Sequence, residues 1–202
     1  FISMKEVPKN RKVLMDIGVA GPIAGFIVSI VVLIIGLSLS TLNTIPLQFP
    51  AGQGLQMEGN SLIYLLLKYL RFGELLPKPV SYGEAGPFIY WLRYFFTGQP
   101  TPLGALDVMI HPVAWAGWVG LLVTSLNLIP AGQLDGGHIF HLLFGKKWAT
   151  FFLPFILAIM MVLGFSWSGW WLWAVLVFLF GRSYAEPLDQ ITPLDAKRKI
   201  LG

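Results

Sequence analysis

Long uncharged apolar stretches recur along this chain, separated by short polar segments and by segments rich in glycine and proline. A helix that crosses a bilayer needs about 20 mainly apolar residues to span a hydrocarbon core of about 30 Å. The pattern predicts four such helices, the last of them the shortest, at residues 17–39, 111–128, 148–165 and 169–181. On the first, Gly18, Gly21 and Gly25 form a small-residue stripe, which predicts the close approach of a neighbouring helix.

The segment between the first two predicted spans, residues 41–110, is long and rich in proline and glycine. Two pieces of it, residues 61–72 and 87–96, are apolar and aromatic but too short to span, so we expect them in the interface or packed on the bundle. The predicted fold class is all-α: a polytopic transmembrane helical bundle with about four membrane-crossing helices plus short interfacial helices. A single membrane-embedded domain over residues 1–202 is expected, with 41–110 as its long connection.

Composition supports this class. Of 202 residues, 55% are hydrophobic and only 12% are charged, and the mean hydropathy is +0.70. The net charge is +4, but the chain has no interleaved basic and aromatic motif, so no nucleic-acid partner is expected. The absence of cysteine excludes disulfides and thiolate metal sites.

The basic residues predict a topology through the positive-inside rule. If the amino-terminal basic residues are cytoplasmic, four crossings leave only Lys68, Arg71, Lys78 and Arg93 on the opposite side. We therefore expect a multi-pass membrane protein with both ends in the cytoplasm. The residues that share the cytoplasmic side are Lys5, Lys9, Arg11, Lys12, Lys146, Lys147, Arg182, Lys197, Arg198 and Lys199.

Asp135 is the most informative residue, because an ionisable side chain at membrane depth costs at least a few kcal/mol and is functional by default. It stands among Pro130, Gly132, Gly136 and Gly137, which free backbone polar groups that membranes tolerate only inside protein or beside water. The carboxylate is a candidate metal ligand, proton relay or dipole-complementing residue at the start of a short helix predicted at 134–144. The residues alone leave these roles open.

Three neighbouring polar residues are further candidates. His138 and His141 lie three apart and, with Asp135, form a candidate Asp/His/His metal cluster. Three ligands on one short helix seldom close a metal site, so interfacial or packing histidines are the alternative. Asn127, one turn before Pro130, either bonds the carbonyls that the proline leaves free or holds an extended peptide or a developing oxyanion.

These residues carry a resemblance to a known family. Asn127, Pro130, Leu134, Asp135 and Gly136 stand at the spacing of the second signature of the site-2 protease family, the intramembrane zinc metalloproteases. Similarity to bacterial and plastid members of that family extends to residues 16–25, 116–121 and 192–195.

The resemblance implies a metal and a reaction. In the family, Zn²⁺ is held by two histidines of a His-Glu-x-x-His helix and by the aspartate that matches Asp135, and the glutamate is the general base on zinc-bound water. The resemblance implies a catalytic role for Asn127 and substrate contacts at Asn127, Pro130 and Gly136. The implied partners are transmembrane protein substrates and the lipid bilayer, in regulated intramembrane proteolysis at a bacterial plasma membrane or a plastid membrane. We expect the 41–110 connection to gate or recognise substrate.

The chain departs from the family pattern because it contains no His-Glu-x-x-His. The residues that follow its three histidines are Pro112, Ile139 and Leu142. We expect the missing helix to lie upstream of Phe1, so that this chain supplies one of three protein ligands and is inactive alone. Two alternatives remain: a non-catalytic pseudoprotease that binds membrane helices, and a small transporter subunit in which Asp135 is a proton or cation site.

Overall fold

The computed structural model describes residues 8–49, 54, 57–84, 86–166, 168–181, 188–189 and 192–201. Most of these residues are helical. The elements, in chain order, are α1 (Arg11–Ser38), β1 (Thr41–Thr44), α2 (Leu62–Phe72), α3 (Gly86–Thr97), β2 (Leu106–Met109), α4 (Pro112–Asn127), α5 (Asp135–Phe144), α6 (Lys146–Leu163), α7 (Gly169–Phe180) and α8 (Ala196–Leu201).

Two helices, α1 and α6, are long and apolar enough to cross a membrane. Both carry exposed aliphatic side chains, with Val28 61% and Val162 68% exposed, and apolar surface of this kind marks a lipid or protein contact. The other two predicted spans are helical but shorter, since α4 has 16 residues and α7 has 12. Four crossings therefore stay a prediction.

The short helices of the connection begin and end close to the predicted positions. Ser61 caps α2, because its side-chain oxygen accepts a hydrogen bond from the Tyr64 amide at 3.2 Å. Gly73 ends the same helix in a left-handed conformation with φ +76°, which glycine adopts without steric cost. The all-α expectation was incomplete, because β1 and β2 pair antiparallel with Thr41 opposite Met109.

The chain divides into two compact units, of which the first comprises Phe1–Ile27 and Gly120–Gly202. One apolar cluster in this unit joins α6 and α7 to Ala131, through Leu153, Met160, Ala174 and Val177. A second joins the start of α1 to α5, through Leu14, Met15, Leu142 and Leu194.

The second unit, Val28–Val119, contains the sheet, α2, α3 and the facing halves of α1 and α4. The α1–α4 contact is close, because a Cβ built at Gly117 would lie 2.6 Å from the backbone nitrogen of Leu33. The Ser40 side-chain oxygen accepts a hydrogen bond from the His111 amide at 2.9 Å. This bond links the residue before β1 to the segment that follows β2.

A buried polar cluster lies inside this second unit. The Lys68 ammonium is 3.8 Å from a carboxylate oxygen of Asp107 and 4.6 Å from the ring centroid of Tyr64. The Tyr64 hydroxyl donates to Glu58 Oε1 at 2.6 Å. Burial raises the pKa of the Glu58 and Asp107 carboxyls and lowers the pKa of the Lys68 ammonium. The buried Lys68 cation thus pairs with Asp107 and interacts electrostatically with Glu58, and the pair ties α2 to β2.

Replacing Lys68 with Met should destabilise the protein by about 3 kcal/mol at neutral pH, because two buried carboxylates lose their cation. The loss should shrink as the pH is lowered below neutral, since burial raises the pKa of both carboxyls and a protonated carboxyl needs no cation. Thermal unfolding in detergent over a series of pH values from neutral downward measures this. Lys78→Met is the control, because the exposed Lys78–Glu74 pair at 3.0 Å is worth at most about 1 kcal/mol. Equal losses in the two variants would contradict the assignment.

Candidate functional site

The site lies in the first unit, where α4 ends at Asn127 and α5 begins at Asp135. The seven residues between them form a compact turn. The Ala131 amide donates to the Ile129 carbonyl at 2.8 Å, and the Leu134 amide donates to the Ala131 carbonyl at 3.2 Å. Gly132 has φ +53°, a left-handed conformation that favours glycine. The breakers that mark this region in the sequence therefore fold the chain back on itself.

Two glycines let α5 start directly against this turn. A Cβ built at Gly136 would lie 2.1 Å from the Leu128 carbonyl oxygen, and one built at Gly137 would lie 2.4 Å from the Gly132 carbonyl oxygen. Both contacts are with backbone, which cannot rotate away. Gly136 and Gly137 are therefore required by the packing of the turn.

Asp135 is the first residue of α5 and its side chain faces α1. A Cβ built at Gly21 would lie 3.3 Å from Asp135 Oδ2, so the carboxylate occupies the space that a side chain on α1 would fill. A Cβ at Gly18 would likewise lie 3.8 Å from the His138 Cβ. Asp135 is half-buried, and within the described residues neither of its oxygens accepts a hydrogen bond.

The end of α4 lies against the same stripe of α1. A Cβ built at Gly25 would lie 2.9 Å from Thr124 Oγ1, and the Thr124 hydroxyl donates to the Gly120 carbonyl at 2.8 Å. The close helix approach predicted for the small-residue stripe is therefore confirmed. The glycines of the stripe contact Thr124, which precedes the α4–α5 turn, and Asp135, which follows it.

The first-turn position predicted for Asp135 is also confirmed. Leu134 is the residue that precedes α5, and it makes no side-chain capping bond. The Asp135 carboxylate therefore carries the only negative charge in the first turn of α5, where it complements the helix dipole. This contribution is compatible with each chemical role considered for the residue.

The candidate Asp/His/His metal cluster is not formed. Among the described residues there is no group of three histidine, aspartate or glutamate side chains that could hold a metal ion. His138 is 8% exposed, and its Nδ1 has no hydrogen-bond partner. The spacing of three places His138 and His141 on one helical face, but ligands on a single turn of helix do not converge with Asp135.

Asn127 is the last residue of α4 and is half-buried. Its amide makes no side-chain hydrogen bond to any residue that the structure describes. The structure therefore shows no hydrogen bond between the Asn127 amide and the carbonyls that Pro130 leaves free.

Sequence reasoning missed the Glu58, Tyr64, Lys68 and Asp107 cluster. Lys68 reads as one of several scattered basic residues in an interfacial segment, yet it is 1% exposed. The available signal was the spacing of four between Tyr64 and Lys68, which places both on one face of a helix.

The described fold is that of a mostly helical chain with two helices of membrane-crossing length and a carboxylate set at the start of a short helix. The model of peptidase family M50 matches residues 1–166, and the chain belongs to this family, which contains the site-2 proteases. The resemblance stated from residues 127–136 is confirmed.

Curated relatives are named as zinc metalloproteases. The chain is 27% identical over 201 residues to "Probable zinc metalloprotease EGY2, chloroplastic" of Arabidopsis thaliana, covering 98% of this chain and 31% of that protein. It is 28% identical over 201 residues to "Probable zinc metalloprotease EGY1, chloroplastic" of Arabidopsis thaliana, with the same coverage of 98% and 31%. It is 36% identical over 109 residues to "Probable zinc metalloprotease EGY3, chloroplastic" of Oryza sativa subsp. indica, covering 51% of this chain and 18% of that protein.

The chain thus spans less than a third of the length of these curated relatives. No solved structure matches it.

Replacing Gly136 with Ala should destabilise the protein by about 3 kcal/mol, because the new methyl group meets the Leu128 carbonyl and the turn must move. Gly18→Ala is the matched control, since its methyl group would meet nothing closer than 3.4 Å and gains up to about 1 kcal/mol of helix propensity. Thermal unfolding of both variants in detergent separates them. A Gly136→Ala protein as stable as Gly18→Ala would contradict the packing role.

Proposed function

We propose that this chain is part of an intramembrane zinc metalloprotease that hydrolyses peptide bonds within the transmembrane segments of substrate proteins. The observation that carries the proposal is the half-buried carboxylate of Asp135, held against Gly21 of α1 without a hydrogen-bond donor among the described residues. A half-buried carboxylate that accepts no hydrogen bond from a described residue is suited to bind a cation. Membership of a peptidase family supports zinc as that cation.

Asp135 fits one ligand position of a catalytic zinc, which uses three protein ligands and keeps a fourth position open. The sequence contains no His-Glu-x-x-His, so the two family histidines and the general base would come from outside these 202 residues. Zinc, when bound, supplies a Lewis acid and lowers the pKa of a bound water. With a single ligand position, this chain alone is proposed to be inactive.

Asn127 is proposed to hold the substrate backbone. A transmembrane helix must unwind locally to present a peptide bond, and its carbonyls then need donors. The Asn127 amide has donors that no described residue takes, and it ends the helix that packs beside the Asp135 turn. Such an amide also stabilises an oxyanion as it develops.

Pro130 and Gly136 are proposed to contribute through the turn that they shape. Gly136 has its side-chain direction filled by the Leu128 carbonyl, so only its backbone is proposed to meet substrate. Pro130 lacks an N–H and keeps the turn from continuing α4 as a helix.

The proposed setting is a multi-pass membrane protein with both ends in the cytoplasm, at a bacterial plasma membrane or a plastid membrane. The two apolar helices support the membrane, and the chloroplastic names of the relatives favour the plastid. We propose that α4 and α7 complete four crossings in one domain, and that the 41–110 connection, built around the Lys68 cluster, recognises or gates the substrate.

A pseudoprotease that binds membrane helices without cutting them is the second candidate. The observation in its favour is that the 202 residues contain no His-Glu-x-x-His. Cleavage of a model transmembrane substrate by the complete wild-type protein separates the two, because only the protease cuts it.

In the complete protein, Asp135→Ala should reduce cleavage by more than about 100-fold and lower the bound zinc, because losing even an outer-shell partner of a metal costs about 10–100-fold. A gel assay of the cleaved substrate and elemental analysis of the purified protein measure the two effects. Asp195→Ala, which removes an exposed carboxylate outside the 41–110 connection, should leave both unchanged. Proteolysis retained in Asp135→Ala would remove the assignment of Asp135.

Asn127→Ala should reduce turnover of the complete protein by about 100-fold while the zinc content stays constant, as for the loss of an oxyanion donor. The same two assays apply, and Ser166→Ala, which removes an exposed polar side chain outside the 41–110 connection, is the control. Parallel losses of turnover and zinc would instead indicate that Asn127 packs the turn.

A further inference from the structure

A cavity of about 410 Å³ lies in the first unit, away from the Asp135 turn. It is formed by the start of α1, the last turn of α5 and the segment around α8. Its volume is within the range of about 300–1,000 Å³ that small-molecule sites occupy. The lining combines two cations with apolar side chains: Arg11, Lys199, Leu142, Leu143, Phe144 and Leu194.

Arg11 is fixed in position at this cavity. Its Nη2 donates to the Leu142 carbonyl at 2.5 Å, which satisfies one of the free carbonyls at the end of α5. A guanidinium carries five N–H donors in a planar fork that matches the oxygens of a phosphate. The contact with Leu142 uses one of these donors and orients the fork.

Basic side chains outnumber the acids near the cavity. Asp16 and Asp195 both pair with Arg198, at 2.7 Å and 2.6 Å, and these three side chains together keep one negative charge, against two positive charges in the lining. Arg11 and Lys199 are the charged side chains of the lining, and both are positive. An anion is therefore the complementary ligand.

The position of the cavity indicates that its ligand also has an apolar part. Arg11 begins α1, and Lys146 begins α6 two residues after Phe144, so the cavity lies where both helices of membrane-crossing length start. Phe144 is 57% exposed and brings an aromatic surface to the cavity beside the cations. Cations over apolar walls at a span terminus match a ligand that is anionic at one end and hydrocarbon at the other.

We propose that this cavity binds the phosphate headgroup of an anionic membrane phospholipid. The Arg11 fork and the Lys199 ammonium bind the phosphate, and the leucines with Phe144 contact the upper acyl chains. Free phosphate would leave the apolar walls exposed to water. This site is independent of the proposed zinc chemistry, because none of its residues belongs to the Asp135 turn.

The test places the purified chain in nanodiscs of phosphatidylcholine with increasing phosphatidylglycerol and follows thermal unfolding. Phosphatidylglycerol should raise the melting temperature of the wild-type protein. Because a basic residue near a membrane contributes about fivefold to affinity for anionic lipid, Lys199→Gln should need about fivefold more phosphatidylglycerol, and Arg11→Gln with Lys199→Gln about 25-fold more. Lys199 is exposed, so its variant keeps the fold.

Arg93→Gln and Lys78→Gln remove the same charge from the second unit and should titrate as wild type. Equal weakening by these controls would show diffuse attraction and overturn the site. A matching rise in melting temperature with inorganic phosphate in phosphatidylcholine discs would overturn the lipid assignment in favour of a soluble phosphate. No response to phosphatidylglycerol would overturn the proposal altogether.

Discussion

The close approach of α1 to the α4–α5 turn is the constraint on which the candidate site depends. Gly18, Gly21 and Gly25 follow the helical spacing of three and four, so they lie along one face of α1. Without side chains there, Thr124 and Asp135 reach the helix surface itself. A larger residue at Gly21 would displace the carboxylate, and with it whatever the carboxylate binds. The position of Asp135 is therefore set as much by α1 as by its own helix.

Glycines also allow close packing on the other side of the turn, between α5 and the turn itself. Gly136 and Gly137 bring the first turn of α5 against the backbone of residues 128–132, with no side chain between. Contacts of this kind fix geometry because backbone cannot repack as side chains do. A ligand that must be held within a fraction of an ångström gains from such a rigid support. The glycines that read as helix breakers in the sequence thus act as packing residues in the fold.

The sequence predicts the helices well where apolar runs are bounded by caps and breakers, as in α2 between Ser61 and Gly73. It places the start of α1 six residues late, because basic residues mask a turn that Asn10 caps by accepting from the Val13 amide at 3.0 Å. It misses the sheet, since two strands of four residues separated by over 60 positions have no readable period. The contact between Lys68 and Asp107 is missed because the two residues lie 39 positions apart, and no local sequence pattern predicts it.

Asp107 and Asp135 differ in whether the fold itself compensates the charge of the carboxylate. Asp107 is buried beside the Lys68 cation and accepts a hydrogen bond from its neighbouring amide at 2.8 Å, so its charge is compensated within the fold. Asp135 is half-buried, yet no described side chain donates to it. Among the described residues, Asp135 lacks the hydrogen bond and the ion pair that compensate the charge of Asp107, and a bound cation or proton would supply that compensation. Of the two aspartates, Asp135 is for this reason the one that we propose for chemistry.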